Sequence, residues 1–170
     1  MDRDSYLVNS SVVDEPARRP YGLGRDEGES YWIRGNRFDF KASGREVGGG
    51  FAVVETVLHP AAAAPAHVHR ETDEAVYVVE GHMAVDVGDE RLELGEGSFA
   101  FLPRGIPHRY LPRDPGPVRV LWVLSPGGFE DFWRETGTPV QPGQEAPQPT
   151  PPDPESMARL GRKYKTEFLP

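Results

Sequence analysis

Three histidines and one glutamate in the middle of the chain have the types and the spacing of a metal site. His67 and His69 stand two residues apart, Glu74 follows them closely, and His108 lies further along the chain. Residues two apart in a strand project from the same face, so both imidazoles of the pair can reach one ion. The chain has no cysteine, so a metal must be bound by histidine or carboxylate. These four side chains are therefore the candidate ligands of one ion.

Two turns have to bring these four groups together. Glu74 opens an apolar run that ends at Gly81, and the connection from His69 is short enough for its carboxylate to point inward beside the histidines. His108 follows a tight turn that contains Pro103 and Gly105, and Gly105 permits a positive φ there. We therefore expect His108 to face the other three groups from the next strand.

The elements that carry these residues are short β-strands. Residues 31–125 read as strands separated by Gly, Pro and Asp, without a long stretch of helical period, which predicts an all-β barrel or sandwich. The clearest unit is a hairpin with a two-residue Gly88-Asp89 turn. This turn predicts three cross-strand pairs, and they are Val85 with Leu92, Met83 with Leu94, and Asp86 with Arg91.

The flanking segments have other compositions. Residues 1–30 are polar and lack a periodic pattern, which predicts an extended arm that packs on the barrel or on a partner subunit. After the barrel at 31–125, residues 126–138 predict a short helix that buries Phe129, Phe132 and Trp133 against it.

The C-terminal part begins with a proline-rich stretch. Residues 139–152 predict an extended tether that forms neither helix nor sheet ladder. Residues 153–170 predict a helix and tail, with Asp153 as the cap and Pro154 at the first position. We expect this helix to dock on the barrel through its apolar side, and the alternative is that the helix frays.

Composition narrows the classes of function. A net charge of -8 and a pI near 5.1 disfavour a nucleic-acid partner, because phosphate binding needs clustered Lys and Arg. The N-terminus is charged where a signal peptide is apolar, and every apolar stretch, such as Ala61 to Ala64, is too short to cross a membrane. We therefore expect a cytoplasmic protein with no membrane partner.

The spacing of the candidate ligands resembles two motifs of the cupin superfamily. His67-x-His69-x4-Glu74-x6-Gly81 is similar to the first motif, with Pro60 or Ala61 in place of its leading glycine. Gly97-x5-Pro103-x-Gly105-x2-His108 is similar to the second, with Pro112 in place of its final asparagine. Neither departure changes a ligand. The resemblance implies an all-β cupin fold, a double-stranded β-helix or jelly-roll barrel with short C-terminal helices.

Further segments resemble the quercetin dioxygenase-like group of single-domain cupins. These are Trp32, Gly48-Gly49-Gly50-Phe51 and the stretch from Gly127 to Phe132, so the resemblance covers most of residues 31–136. It implies a homodimer formed through an arm such as residues 1–30. The ligand types imply one divalent transition metal per chain, and they suit Fe, Mn, Ni, Co, Cu or Zn alike.

Strand alternation gives the candidate substrate pocket. If Glu74 and His108 face inward, Val76 and Tyr110 do so as well, and either Phe99 with Phe101 or Ala100 with Leu102 joins them. We assign the pocket to Tyr110, Phe99, Phe101 and Val76, with Tyr110 the better candidate and core filling the favoured interpretation of Val76.

Other polar residues receive plainer interpretations. His59 and His82 lie outside the motifs and are interpreted as structural or surface residues. Arg104 is either a surface turn residue or a gate for an anionic substrate, and we favour the former.

Three functions remain open. The leading hypothesis is an oxidoreductase, a metal-dependent dioxygenase resembling quercetin dioxygenase that acts on a small aromatic or enolic metabolite. In it Glu74 is a ligand that also accepts a substrate proton. The second is a non-redox cyclase, isomerase, decarboxylase or lyase, and the third is a non-catalytic ligand-binding cupin.

Overall fold

The computed structural model describes residues 19–60, 65–113, 115–148 and 153–169. The strands of this part of the chain are β1 (Glu29–Ile33), β2 (Asn36–Ala42), β3 (Ala52–Leu58), β4 (His67–His69), β5 (Asp73–Glu80), β6 (Met83–Val87), β7 (Glu90–Leu94), β8 (Phe99–Leu102), β9 (His108–Pro112), β10 (Val118–Ser125), β11 (Thr138–Pro139) and β12 (Thr166–Phe168). The helices are α1 (Glu130–Thr136) and α2 (Pro154–Lys163). Among these residues no helix is long and apolar enough to cross a membrane.

The strands form two antiparallel sheets. The larger sheet has the order β11-β1-β2-β3-β10-β5-β8, and the smaller has the order β12-β4-β9-β6-β7. Buried side chains of both sheets belong to one apolar core, for example Val54 and Trp122 from the larger sheet and Met83 and Tyr110 from the smaller. The expected all-β fold is confirmed.

Alternation along the central strands builds this core and points Glu74 into it. In β10, Val118, Val120, Trp122 and Leu124 are buried while the residues between them are partly exposed. Leu124 is paired with Glu74. Glu74 is therefore the last member of an inward-facing row, and its neighbours are apolar side chains worth about 1.5–3 kcal/mol each on burial.

The predicted hairpin is confirmed in its register. Strands β6 and β7 pair Val85 with Leu92, Met83 with Leu94 and Asp86 with Arg91. Gly88 in the turn has a φ of 57°, the left-handed conformation that glycine adopts without strain.

The N-terminal boundary of the barrel differs from the sequence expectation. Strand β1 begins at Glu29, two residues inside the predicted arm, and pairs with β2. The described end of the arm packs on its own barrel. The ammonium group of Lys41 donates to the carbonyl oxygens of Gly24, Arg25 and Glu27. Residues 1–18 of the arm lie outside the described residues.

The proline-rich segment takes part in a short sheet ladder, contrary to the expectation that it forms none. Thr138 and Pro139 form β11 at the edge of the larger sheet, opposite Trp32 and Tyr31. Proline is tolerated at a sheet edge, and here the neighbouring Val140 amide donates to the Ser30 carbonyl at 2.9 Å. The segment is otherwise without helix or strand as far as residue 148.

The two helices cover one end of the barrel. In α1 the predicted aromatic residues Phe129, Phe132 and Trp133 are buried, as expected. Helix α2 begins at Pro154, with the Asp153 carboxylate accepting from the Ser156 amide at 2.9 Å, so the predicted cap is confirmed. It docks through buried Leu160 and does not stand free.

Candidate metal centre

The four candidate ligands meet at one point between the two sheets. His67 and His69 belong to β4, His108 begins β9, and Glu74 lies in β5. All four are buried, and the potential ligand atoms lie within 4.8 Å of one another. The three histidines thus come from the smaller sheet and the carboxylate comes from the larger one.

Strand pairing sets the positions of the histidines. The short strand β4 pairs with β9 on one side, which places His67 directly opposite His108. On its other side β4 pairs with β12, which places Thr166 opposite His69 and Phe168 opposite His67. The last strand of the chain therefore supports the strand that carries two of the ligands.

Hydrogen bonds fix the tautomer of each imidazole. The Nδ1 atoms of His67 and His108 lie 3.0 Å from the carbonyl oxygens of Pro65 and Ile106. A carbonyl oxygen only accepts, so both Nδ1 atoms carry hydrogen. The Nδ1 atom of His69 lies 2.8 Å from the Thr166 hydroxyl, which itself donates to the Tyr164 carbonyl and so accepts from His69. In the neutral rings all three Nε2 atoms are bare acceptors.

The Nε2 atoms of the histidines face the carboxylate of Glu74, which is also an acceptor, and such a group of acceptors suits a cation. The Nε2 atoms of His69 and His108 lie 3.1 and 3.2 Å from one carboxylate oxygen of Glu74. Two lone pairs at that distance repel unless a proton or a metal ion lies between them. Neutral imidazoles held through Nδ1 together with a carboxylate are a common donor set for divalent transition metals. The residues therefore fit such an ion.

The titration of the site agrees with a negative carboxylate and a neutral His67. Burial alone would raise the pKa of Glu74. Without an ion, however, a proton on Nε2 of His108 or His69 supplies a hydrogen bond to the carboxylate, and these hydrogen bonds hold the pKa of Glu74 below its usual range. Burial, assisted by the charge of His108, lowers the pKa of His67 from 6.5 to about 4. Burial opposes protonation of His108 too, but its hydrogen bond to Glu74 outweighs this and raises its pKa.

A salt bridge joins the strand of Glu74 to the turn before His108. The Asp73 carboxylate accepts from the backbone amide of Arg104 at 2.9 Å and from its guanidinium at 3.0 and 2.6 Å. These hydrogen bonds lower the pKa of Asp73 from 3.8 to about 2. Arg104 therefore has the role of a surface turn residue, which was the favoured interpretation.

A cavity of about 370 Å³ opens onto the site. His67 and Glu74 reach its wall, and Tyr110 lies beside them. The further lining comes from the β1–β2 turn, from α1 and from the C-terminal segment, and includes Arg34, Phe38, Phe129, Phe132, Trp133, Met157, Leu160 and Phe168. The cavity wall thus combines apolar and aromatic side chains with polar ones, among them Asn36, Glu135, Asp153, Ser156 and Arg159.

The structure corrects three of the four pocket expectations. Phe99 and Phe101 project from the outer face of the larger sheet and are 62% and 53% exposed. The pairing of Glu74 with Leu102 and of Val76 with Ala100 fixes this side, because paired residues share a face. Ala100 and Leu102 are therefore the inward pair.

Val76 and Tyr110 separate in the same way. Val76 faces inward but is fully enclosed and does not line the cavity, so it fills the core. Tyr110 lines the cavity as expected, and its ring centroid lies 6.4 Å from that of His67.

Sequence reasoning did not identify two residues that matter here. Thr166 orients His69 from a strand 97 positions away along the chain, and no local pattern marks that pairing. Arg34 lies in a two-residue turn with Gly35, outside the strands from which the site residues were predicted. An arginine where a hairpin turn favours Asn or Gly was an available signal. His59 and His82 lie outside the ligand cluster, as expected.

Comparison with known proteins identifies the same region as a domain. A model described as the Cupin domain matches residues 54–124, which include all four candidate ligands. Two known structures resemble the fold. KdgF from Halomonas sp. has a TM-score of 0.57 at 18% identity, covering 66% of this chain and 98% of that one. An RmlC-like cupin from Shewanella frigidimarina has a TM-score of 0.54 at 21% identity, covering 68% and 99%.

Two characterised proteins are similar in sequence. Quercetin 2,3-dioxygenase of Bacillus subtilis is 34% identical over 130 residues, 76% of this chain and 38% of that protein. The tetracenomycin polyketide synthase protein TcmJ of Streptomyces glaucescens is 33% identical over 69 residues, 41% of this chain and 46% of that protein. The chain thus spans less than half the length of either relative. The matching model and the two-sheet barrel together show that this chain contains a cupin domain, at residues 54–124.

Proposed function

We propose that this protein is a metal-dependent enzyme that acts on a small aromatic or enolic metabolite, with dioxygenase chemistry like that of the quercetin dioxygenase relative. The observation that carries the proposal is the junction of cavity and ligand cluster. His67 and Glu74 reach the wall of a cavity that is also lined by several aromatic rings, those of Phe38, Tyr110, Phe129, Phe132, Trp133 and Phe168. Its volume of about 370 Å³ lies in the range of small-molecule sites.

The ligand cluster and the cavity walls have separate tasks. When bound, a divalent ion would supply the acidity that lowers the pKa of an enol or phenol oxygen and, if redox-active, electrons for dioxygen. Phe129, Phe132 and Trp133 give the cavity an apolar aromatic wall against which an aromatic substrate can pack. They also keep water away from the carboxylate of Glu74, which increases its effect on a nearby proton.

Glu74 is the group that can receive the substrate proton. Its carboxylate is buried from solvent and lines the cavity, and its lowered pKa keeps it ionised. An enol or phenol hydroxyl at that part of the wall would lie within hydrogen-bond reach of it. The similarity to quercetin 2,3-dioxygenase supports this substrate class.

A non-redox reaction is the second candidate, and Tyr110 favours it. Burial and the charge of Glu74 raise the pKa of this tyrosine above its usual value, so its phenol keeps its proton. A proton donor and an ionised carboxylate on one cavity wall are the pair that an isomerase, cyclase, decarboxylase or lyase needs.

The first test is metal content. Protein purified without added metal and analysed for elements should contain about one divalent transition metal per chain. A folded sample that contains no metal and cannot be reconstituted would overturn the proposal. His108→Ala should lose most of the metal, whereas His82→Ala, which removes an exposed histidine outside the cluster, should keep it.

The second test separates the two reactions. A screen of phenolic and enolic metabolites should yield a substrate whose turnover consumes dioxygen in step, recorded with an oxygen electrode. Glu74→Gln should then retain part of the metal and lose ~10²- to 10⁴-fold in rate, because the proton acceptor is gone. Full activity under anaerobic conditions with Zn(II) would instead establish the non-redox reaction. Binding without turnover would indicate a ligand-binding cupin.

A further inference from the structure

Arg34 brings a positive charge to the wall of the same cavity. It lines the cavity together with His67, Glu74 and Tyr110. Its Nε atom is fully enclosed, yet it has no hydrogen-bond partner among the described residues. A buried guanidinium N–H without an acceptor is costly, because the group has lost its water. No described residue accepts a hydrogen bond from the Nε atom of Arg34, and a ligand in the cavity could supply that acceptor.

Other arginines of the described chain do have carboxylate partners. Arg104 binds Asp73, Arg119 binds Glu55 and Glu80, and Arg134 binds Glu29 and Asp131. No salt bridge of Arg34 occurs among the described residues. Arg159 also lines the cavity without a salt bridge among the described residues, but it is exposed and its charge acts on Glu135, whereas Arg34 is half-buried.

The acidic residues that share the cavity wall are already engaged. Glu135 accepts from the Lys163 ammonium and from the Tyr164 hydroxyl at 2.6 Å. Asp153 caps helix α2 by accepting from the Ser156 amide at 2.9 Å. Glu74 is committed to the histidines. None of these carboxylates pairs with the guanidinium of Arg34.

The backbone shows that the turn itself does not favour an arginine. Arg34 and Gly35 form the two-residue turn between β1 and β2, with φ values of 53° and 81°. Such turns favour Asn, Asp or Gly at their first position, since other side chains are strained at positive φ. The reason for an arginine at position 34 therefore lies in the cavity that its side chain reaches, and not in the turn.

We propose that Arg34 is the anion-binding residue of this cavity and that the substrate is an enol or phenol that also carries a carboxylate. The proposal rests on the proposed function, because it assumes that the enol or phenol oxygen lies beside His67 and Glu74. The carboxylate then lies at Arg34, whose planar guanidinium can donate two parallel hydrogen bonds to it. Tyr110 lines the same cavity, with its ring centroid 6.4 Å from that of His67.

The test uses pairs of probes that differ only in charge. The acids are 3,4-dihydroxybenzoate, 3,4-dihydroxyphenylacetate and 3-(3,4-dihydroxyphenyl)propanoate, and each is compared with its methyl ester. The three spacers cover different separations between catechol and carboxylate. Each probe is titrated into cobalt-loaded protein, and the visible spectrum of the ion reports binding without turnover. At least one acid should bind ~10- to 100-fold more tightly than its ester.

Two variants assign that preference to Arg34. Arg34→Asn should abolish the preference for the acid and leave ester affinity unchanged, and its melting temperature should be equal or higher because Asn suits the turn. Lys165→Asn is the matched control, because Lys165 is an exposed cation at a φ of 52° that does not line this cavity. It should keep the preference of the wild type.

The outcomes separate this inference from the function on which it rests. Equal binding of acids and esters in the wild type, or a preference that survives in Arg34→Asn, would overturn the role of Arg34 and leave the enol or phenol site intact. An equal loss of ester affinity in Arg34→Asn would assign the residue to the structure of the site and overturn the inference as well. If neither acids nor esters change the cobalt spectrum, the proposed function itself fails.

Discussion

The three imidazoles of the site donate their Nδ1 hydrogens to two kinds of acceptor. His67 and His108 use carbonyl oxygens two residues away in the chain, at Pro65 and Ile106. His69 instead depends on the hydroxyl of Thr166 in the last strand. Such outer hydrogen bonds fix the ring orientation and raise the basicity of the ligand nitrogen. The hydrogen bond of His69 can be removed by mutation, because its acceptor is the side-chain hydroxyl of Thr166 and not a backbone carbonyl.

Replacing Thr166 with valine should therefore weaken metal binding without removing a ligand. The side chain keeps its shape but loses the acceptor, so the His69 Nδ1 hydrogen is left unsatisfied in a buried place. We expect the affinity for Zn(II), measured by competition with a chelator, to fall ~10- to 100-fold.

Thr166→Ser is the control for this change, since it restores the hydroxyl. It should bind metal within a few-fold of the wild type. Wild-type affinity in Thr166→Val would show that the hydroxyl does not position His69.

At the scale of elements, the β8–β9 turn is fastened to the start of β5. Asp73 stands next to Glu74, and Arg104 stands four residues before His108, so their salt bridge joins the supports of two ligands. Because the folded pKa of Asp73 is lowered to about 2, the salt bridge adds stability above pH ~4. This contribution is lost as the pH falls through ~2, where the carboxylate takes up a proton.

Comparison of Asp73→Asn with the wild type should reveal this pH dependence. The variant should melt at a lower temperature than the wild type above pH ~4, and the difference should shrink as the pH falls towards ~2. Metal-free protein is used for both, so that release of a bound ion at low pH does not contribute to the difference. A difference in melting temperature that is constant over this range would show that the salt bridge does not stabilise the fold.

Helix α1 is fixed to the barrel by its aromatic face. Phe132 is buried, stacks on Phe129 with ring centroids 5.2 Å apart and contacts the rings of Tyr164 and Phe168. Phe132→Asp should lower the free energy of unfolding by about 3–5 kcal/mol, because it leaves a cavity and a buried charge.

The exposed Phe99 provides a matched control for that substitution. Phe99→Asp makes the same chemical change on the outer face, where the ring is mostly exposed. It should cost no more than about 1 kcal/mol. Equal losses in the two variants, measured by urea denaturation, would contradict both the docking of α1 and the assignment of the two faces of β8.

At the scale of the whole molecule, the ligand cluster joins the two sheets. The histidines come from the smaller sheet and Glu74 from the larger, so an ion bound by all four would connect them. Because such a site exists only in the folded state, metal binding adds directly to stability. The energy of binding is therefore shared by the barrel as a whole.

Zinc should accordingly raise the melting temperature of metal-free protein. With free metal at about 100 times Kd the gain is about 2.7 kcal/mol, or roughly 5–11 °C for a chain of this size. The shift should disappear in His108→Ala and persist in His82→Ala. An unchanged melting temperature in the wild type, despite measured binding, would show that the site is not coupled to folding.

The predicted homodimer stays a prediction at this scale. It was assigned to the arm, and residues 1–18 lie outside the described residues. The described end of the arm, around Gly24 to Glu27, is bound by Lys41 of its own barrel.

The candidate ligands, the strand class and the local hairpin could be predicted from the amino-acid sequence alone. His67, His69, Glu74 and His108 were found from spacing and motif, because residues two apart in a strand share a face and because a Pro/Gly turn has few conformations. The register of β6 and β7 followed from the Gly88-Asp89 turn for the same reason. These features depend on interactions between residues close in the chain.

Pairing and packing between segments far apart in the chain determine which other residues reach the site. Alternation offered two choices for β8, and pairing with β5 selected Ala100 and Leu102 over Phe99 and Phe101. Thr166 reaches His69 through pairing of the last strand with β4, and Arg34 reaches the cavity from a turn. Such contacts depend on strand order and on which sheet edge is free, and these are set by packing of the whole barrel, which no local pattern records.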